Sequence, residues 1–140
     1  MSTRSRVGLE LKNGSILSVY HHWDGYPEWL GRILKTHYNT RAKAAELIDG
    51  GDMSSCWTNE RWVPYGSYKD DEYGPQYYSE RGEDSPPRLD KDLCEYLLPD
   101  NSEEFAYVFR NGEWVCYCMH QFDGTKLPEI VEIPSGALMA

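Results

Sequence analysis

Val7-Gly8-Leu9-Glu10-Leu11-Lys12-Asn13-Gly14-Ser15-Ile16-Leu17-Ser18-Val19-Tyr20 sets two apolar-patterned runs on either side of an Asn-Gly pair. Asn-Gly between such runs predicts a β-hairpin, because both turn positions of the tightest loop need φ > 0. A two-residue loop also sets the register. Leu11 then faces Ile16, Leu9 faces Ser18, Val7 faces Tyr20 and Ser5 faces His22. It brings the start, Thr3-Arg4-Ser5-Arg6, to the same edge as the end, His21-His22-Trp23-Asp24.

Outward from this hairpin, Gly25-Tyr26-Pro27 breaks the strand, and Pro27 suits the first turn of a helix. Leu30, Ile33, Leu34 and His37 keep 3-4 spacing, which predicts a helix from Pro27 to Tyr38. Thr40 reads as the N-cap of a second helix, Arg41 to Asp49, stopped by Gly50-Gly51. Leu89 to Leu98 predicts a third. A second Asn-Gly, Asn111-Gly112, joins Phe105–Arg110 to Trp114–His120 and predicts another tight hairpin. Its aromatic face, Phe105, Tyr107, Phe109 and Trp114, reads as core. Ile130 to Ile133, between Pro128 and Pro134, suits an edge strand. The expected fold is α+β, an antiparallel sheet of two Asn-Gly hairpins packed with two or three short helices. Residues 1–140 read as a single domain, with a long irregular Tyr-rich loop at about 56–88.

Composition narrows the function. The 140 residues carry 14 basic and 23 acidic side chains, a net charge of -9. That balance argues against general nucleic-acid binding, which rests on neutralising phosphates. No apolar run reaches the ~20 residues of a membrane span and no signal peptide opens the chain, so a cytoplasmic protein is expected. Cys116-x-Cys118-x-His120 lies along one strand and reads as packed thiols rather than metal ligands, since structural zinc draws its ligands from tight turns. No metal and no cofactor is implied.

The strongest polar convergence is the hairpin's open edge. Thr3, Arg4, Arg6, Tyr20, His22, Trp23, Asp24 and Tyr26 are the candidate ligand-binding residues, with Arg81 of Arg81-Gly82-Glu83 returning to close the group. Arginine forks and a helix start hold phosphate or carboxylate, and Trp23 or a tyrosine stacks on a ring. The alternative is a hydrolase with His22 or His21 as general base and Asp24 as its orienting carboxylate. A third reading is a protein-binding inhibitor of a host factor, acting through the acidic, Tyr-rich surface of 56–88.

Met1-Ser2-Thr3-Arg4-Ser5, Tyr20-His21-His22-Trp23-Asp24-Gly25-Tyr26-Pro27, Gly31-Arg32-Ile33-Leu34 and Leu47-Ile48-x-Gly50-Gly51-Asp52-x-Ser54-Ser55 carry a resemblance. They resemble a family of small tailed-bacteriophage and prophage proteins, over about residues 1–55. The resemblance implies a viral accessory protein of the host bacterial cytoplasm and brings no reaction with it. Such an origin favours an anti-defence role: sequestering a phosphate-bearing, nucleotide-like small molecule, in a pocket that a homo-oligomer interface completes.

Overall fold

The computed structural model describes residues 3–58, 61–62, 68–69, 74–83, 85–97, 103–119 and 128–134. Strands β1 (Ser5–Glu10) and β2 (Ile16–His21) pair antiparallel as the hairpin predicted. The loop, however, holds three residues. The Leu11 amide donates to the Ser15 carbonyl at 2.8 Å, and the Gly14 amide to the Leu11 carbonyl at 3.0 Å. Only Gly14 of this turn takes a positive φ, 88°. Asn13 stays in ordinary space because its side-chain oxygen is occupied, accepting from the Ser15 amide at 3.0 Å and the Ser15 hydroxyl at 2.6 Å. A type I turn followed by a left-handed glycine is the usual three-residue solution. The pairing therefore moves by one residue from the expected register: Val7 faces Val19, Leu9 faces Leu17, and Ser5 faces His21 rather than His22. Val7, Leu9, Leu17 and Val19 now share one face, which the expected register would have mixed. Gly14→Ala, with no atom within 4 Å of the added methyl, pays only for its backbone angle. Chemical denaturation should register a loss of about 1 kcal/mol.

The second hairpin, β8 (Phe105–Arg110) with β9 (Glu113–Cys118), closes with the predicted two-residue loop: Arg110 faces Glu113, and Asn111 and Gly112 have φ of 52° and 81°. Strands β3 (Met53–Thr58), β6 (Gly74–Tyr77), β7 (Arg88–Asp90) and β10 (Glu129–Val131) complete the main sheet. Its order is β10-β9-β8-β1-β2-β3-β6, with β7 on the free part of β2. The sheet is mixed, not wholly antiparallel, since β1 runs parallel to β8 and β2 parallel to β3. The crossover from β2 to β3 carries two helices, which return the chain to the end it left, and parallel neighbours require such a connection. β10, bounded by Pro128 and Pro134, lies at the edge.

That crossover begins with a π-helical turn, Pro27–Gly31, and continues as α1 (Arg32–His37) and α2 (Arg41–Asp49). Thr40 caps α2, its hydroxyl accepting from the Lys43 amide at 3.2 Å. Leu30, Ile33, Leu34, Leu47 and Ile48 cover Val7, Val19, Tyr107 and Cys116 on one face of the sheet. The other face carries Ile16, Ala106, Val108 and Tyr117 under Tyr96 and Leu97. The helix expected over 89–98 is shorter: β7 claims Arg88–Asp90, and Asp92 caps α3 (Leu93–Tyr96) by accepting from the Glu95 amide at 2.9 Å. The β2 edge explains the change, because Leu17 and Ser18 pair with Leu89 and Arg88. The stretch 56–88, read as irregular, contains the end of β3, a short pair β4 (Arg61–Trp62) and β5 (Tyr68–Lys69), β6, a 3₁₀ turn at Tyr78–Arg81 and the first residue of β7.

Candidate functional site

At one end of the sheet three segments converge. The Gly25 amide donates to the Thr3 carbonyl at 2.9 Å, tying the chain beyond β2 to the start of β1. The His22 and Trp23 amides donate to the carbonyls of Met53 and Ser54, at 3.2 and 2.9 Å, and continue the parallel pairing with β3. Gly25 sits so close to β1 that a side chain has no room: a Cβ would lie 2.5 Å from the Ser5 hydroxyl and 2.6 Å from the Thr3 carbonyl. The Tyr107 hydroxyl secures the same residue from the core, donating to its carbonyl at 2.7 Å. Asp24 takes φ +57°, a left-handed conformation that Asp tolerates, to turn the chain into Gly25.

The candidate residues divide between two faces and the rim. His21 points inward and is fully buried, with Nδ1 3.3 Å from the Ser5 hydroxyl and Nε2 without a hydrogen-bond partner among the described residues. Burial, helped by neighbouring His22, pushes its imidazolium down to about 3. It is a neutral core residue and not a general base at the edge. Arg6 also leaves the rim. On the opposite face, its Nε donates to the Ser18 hydroxyl at 3.1 Å and Nη2 to the Ser18 carbonyl at 3.3 Å. Burial holds that guanidinium below its ordinary value, against the charges of Asp52 and Glu103.

Among the described residues, what remains at the rim is an aromatic group with one arginine, Arg4. The Tyr20 hydroxyl lies 2.7 Å from His22 Nδ1, and burial raises its proton affinity while nearby Arg4 opposes the rise. His22 meets Trp23 edge-on, ring centroids 4.6 Å apart at 86°. Trp23 is 46% exposed, unusual for the largest apolar side chain. Arg4 is exposed; its backbone amide donates to Glu104 at 3.3 Å. Burial and then the charge of Asp24 raise the Tyr26 hydroxyl, which Asp24 also holds by a hydrogen bond. Thr3 enters through its backbone. Arg81 ends the 3₁₀ turn, but its side chain lies outside the described residues, as does His120.

Two consequences follow for chemistry. Of the two arginine forks expected from the N-terminal segment, Arg6 has left the rim and Arg4 stays, with Glu104 against its backbone amide and Asp24 against Tyr26. The expected His/Asp pair is not assembled either, because His22 is held by Tyr20 while Asp24 is taken up by Tyr26. Sequence reasoning missed Asp52, whose Oδ1 accepts from the Tyr20 amide at 2.8 Å and pins β2 where β3 begins. Its position directly after Gly50-Gly51 was the available signal. Cys116, in the core against Tyr107, has its thiol pushed up to about 12 by burial, and all four cysteines are free. No group of three metal-ligating side chains occurs among the described residues, and none of their helices is long and apolar enough to cross a membrane. No protein-family model matches the chain, and neither a curated protein nor a solved structure shows significant similarity to it.

Proposed function

We propose that this chain captures a phosphate-bearing, nucleotide-like small molecule at the Arg4–Tyr20–His22–Trp23 rim, as a phage accessory protein that sequesters a signal of the host's defence in the bacterial cytoplasm. The observation that carries the reading is Trp23: a tryptophan 46% exposed, braced edge-on by His22 and thus preorganised. A rigid exposed ring stacks on a base with little entropy to lose. Arg4, the exposed cation at this rim, supplies the fork for a phosphate. Capture fits better than turnover, since His21 and His22 have Ser5 and Tyr20 as their hydrogen-bond partners and neither is oriented by a carboxylate among the described residues.

Native mass spectrometry of the protein mixed with nucleotide second messengers tests this. An intact nucleotide retained by the folded chain, and released on heating, supports capture and gives the stoichiometry. A converted nucleotide points to a hydrolase instead. Trp23→Ala should weaken binding by about 10- to 100-fold, the worth of one stacked base. Unchanged affinity in that variant and in Arg4→Ala would remove the site.

A further inference from the structure

At the far end of the same sheet lies a cleft of about 500 Å³, between the two hairpin turns and the connection from α1 to α2. Three cations from three distant segments line it: Lys12 beside the first turn, Arg41 at the start of α2, and Arg110 before the second turn. One carboxylate answers them. Glu10 Oε2 lies 3.3 Å from Arg110 Nη2. Arg41 donates through Nη1 to the Glu10 carbonyl at 2.9 Å, which anchors the guanidinium and leaves its other donors without a partner among the described residues. Lys12 is exposed and makes no ion pair among the described residues. The cleft thus carries a local excess of two positive charges in a chain of net charge -9. Leu11 and the buried Phe109 supply the apolar part of its lining.

We infer that this cleft is a second binding site, for the phosphate groups of a small phosphorylated molecule. Three converging cations, two with planar forks, suit a multiply charged tetrahedral oxyanion better than a single carboxylate. The volume exceeds what one phosphate fills, so the remainder of the molecule rests on the Phe109 side. Thr40 also lines the cleft; its hydroxyl accepts the α2 cap bond from the Lys43 amide, which leaves its proton able to donate to an oxyanion. β1 and β2 separate this cleft from the Trp23 rim by roughly 20 Å, at ~3.3 Å per residue, so the site stands apart from the one proposed above.

Inorganic pyrophosphate titrated into the full chain at constant ionic strength, followed by amide-resolved NMR, tests the assignment. Saturable shifts are expected at Lys12, Arg41 and Asn111, with the Trp23 indole unmoved. Arg41→Gln and Lys12→Gln should each weaken binding about tenfold. Lys91→Gln, at an exposed lysine outside the cleft lining, should not. Lys12→Gln carries the decision, because that exposed side chain makes no hydrogen bond or ion pair among the described residues, and an unchanged denaturation midpoint separates lost binding from lost folding. Shifts that grow without saturating, shifts at Arg4 and Trp23 with the cleft residues unmoved, or affinity unaltered in both cleft variants would overturn the site.

Discussion

Acidification from about pH 7 to about pH 5 is expected to cost the folded chain about 2 kcal/mol, through the buried imidazole of His21. In the unfolded chain a histidine takes its proton near pH ~6.5, whereas in the fold burial pushes His21 down to about 3. Between those values the unfolded state binds a proton that the folded state refuses. The contribution is fully present above pH ~6.5 and is lost progressively as pH falls, at about 1.4 kcal/mol per unit. His37, also lowered by burial and then by the charge of Lys43, adds a smaller part of the same sign. Denaturant titrations at several pH values give the slope directly. His21→Asn, which keeps a polar group for Ser5 but does not titrate, should flatten the curve relative to the parent. A parent whose stability is level across this window would show that His21 is not sealed from water as described.

Gly25→Ala is the second large effect. Its methyl would meet the Ser5 hydroxyl at 2.5 Å, the Thr3 carbonyl at 2.6 Å and the Ser5 Cβ at 2.7 Å. The Thr3 oxygen is backbone and cannot swing aside, so the start of β1 has to move. That motion breaks the Gly25–Thr3 hydrogen bond and disturbs the one from Tyr107. A loss of about 3 kcal/mol is expected, the upper end for overpacking, together with a change in Trp23 fluorescence as the rim loosens. The contrast with Gly14→Ala is informative: there the added atom meets nothing within 4 Å. Stability within about 0.5 kcal/mol of the parent for Gly25→Ala would mean that the two segments do not touch as drawn.

Much of the fold was legible where the signal was local. Asn111-Gly112 is a two-residue turn, Thr40 caps α2, and β10 is an edge strand, each because a few adjacent residues decide it. The first hairpin was legible as a hairpin but not in register. The competition was between Asn13 adopting a positive φ and Asn13 accepting two hydrogen bonds from Ser15, and the side chain won. Long-range pairing was not legible. Nothing near Val7 announces Tyr107 as its parallel partner, and nothing near Leu17 announces that Leu89 will join it as a strand. The meeting of residues 3–6 with 21–25 was legible, because a hairpin forces it. Which side chains would stay at the rim depended on register and burial, which sent Arg6 to one face and His21 to the other. The cationic cleft escaped notice because Lys12, Arg41 and Arg110 are neighbours only after β1 and β8 pair.

The parallel pairing of β1 with β8 also has a cost in time. β1 is central in the finished sheet, yet one of its two neighbours is supplied by Phe105–Phe109, far downstream in the sequence. At a ribosomal pace of about 5–20 residues per second, the β8-facing edge of Ser5–Leu9 waits on the order of ten seconds for its partner. Through that interval a row of unpaired amides and carbonyls, flanked by apolar Val7 and Leu9, offers itself to any other extended chain nearby. Yield during rapid, crowded synthesis is therefore expected to depend on how soon the second hairpin arrives.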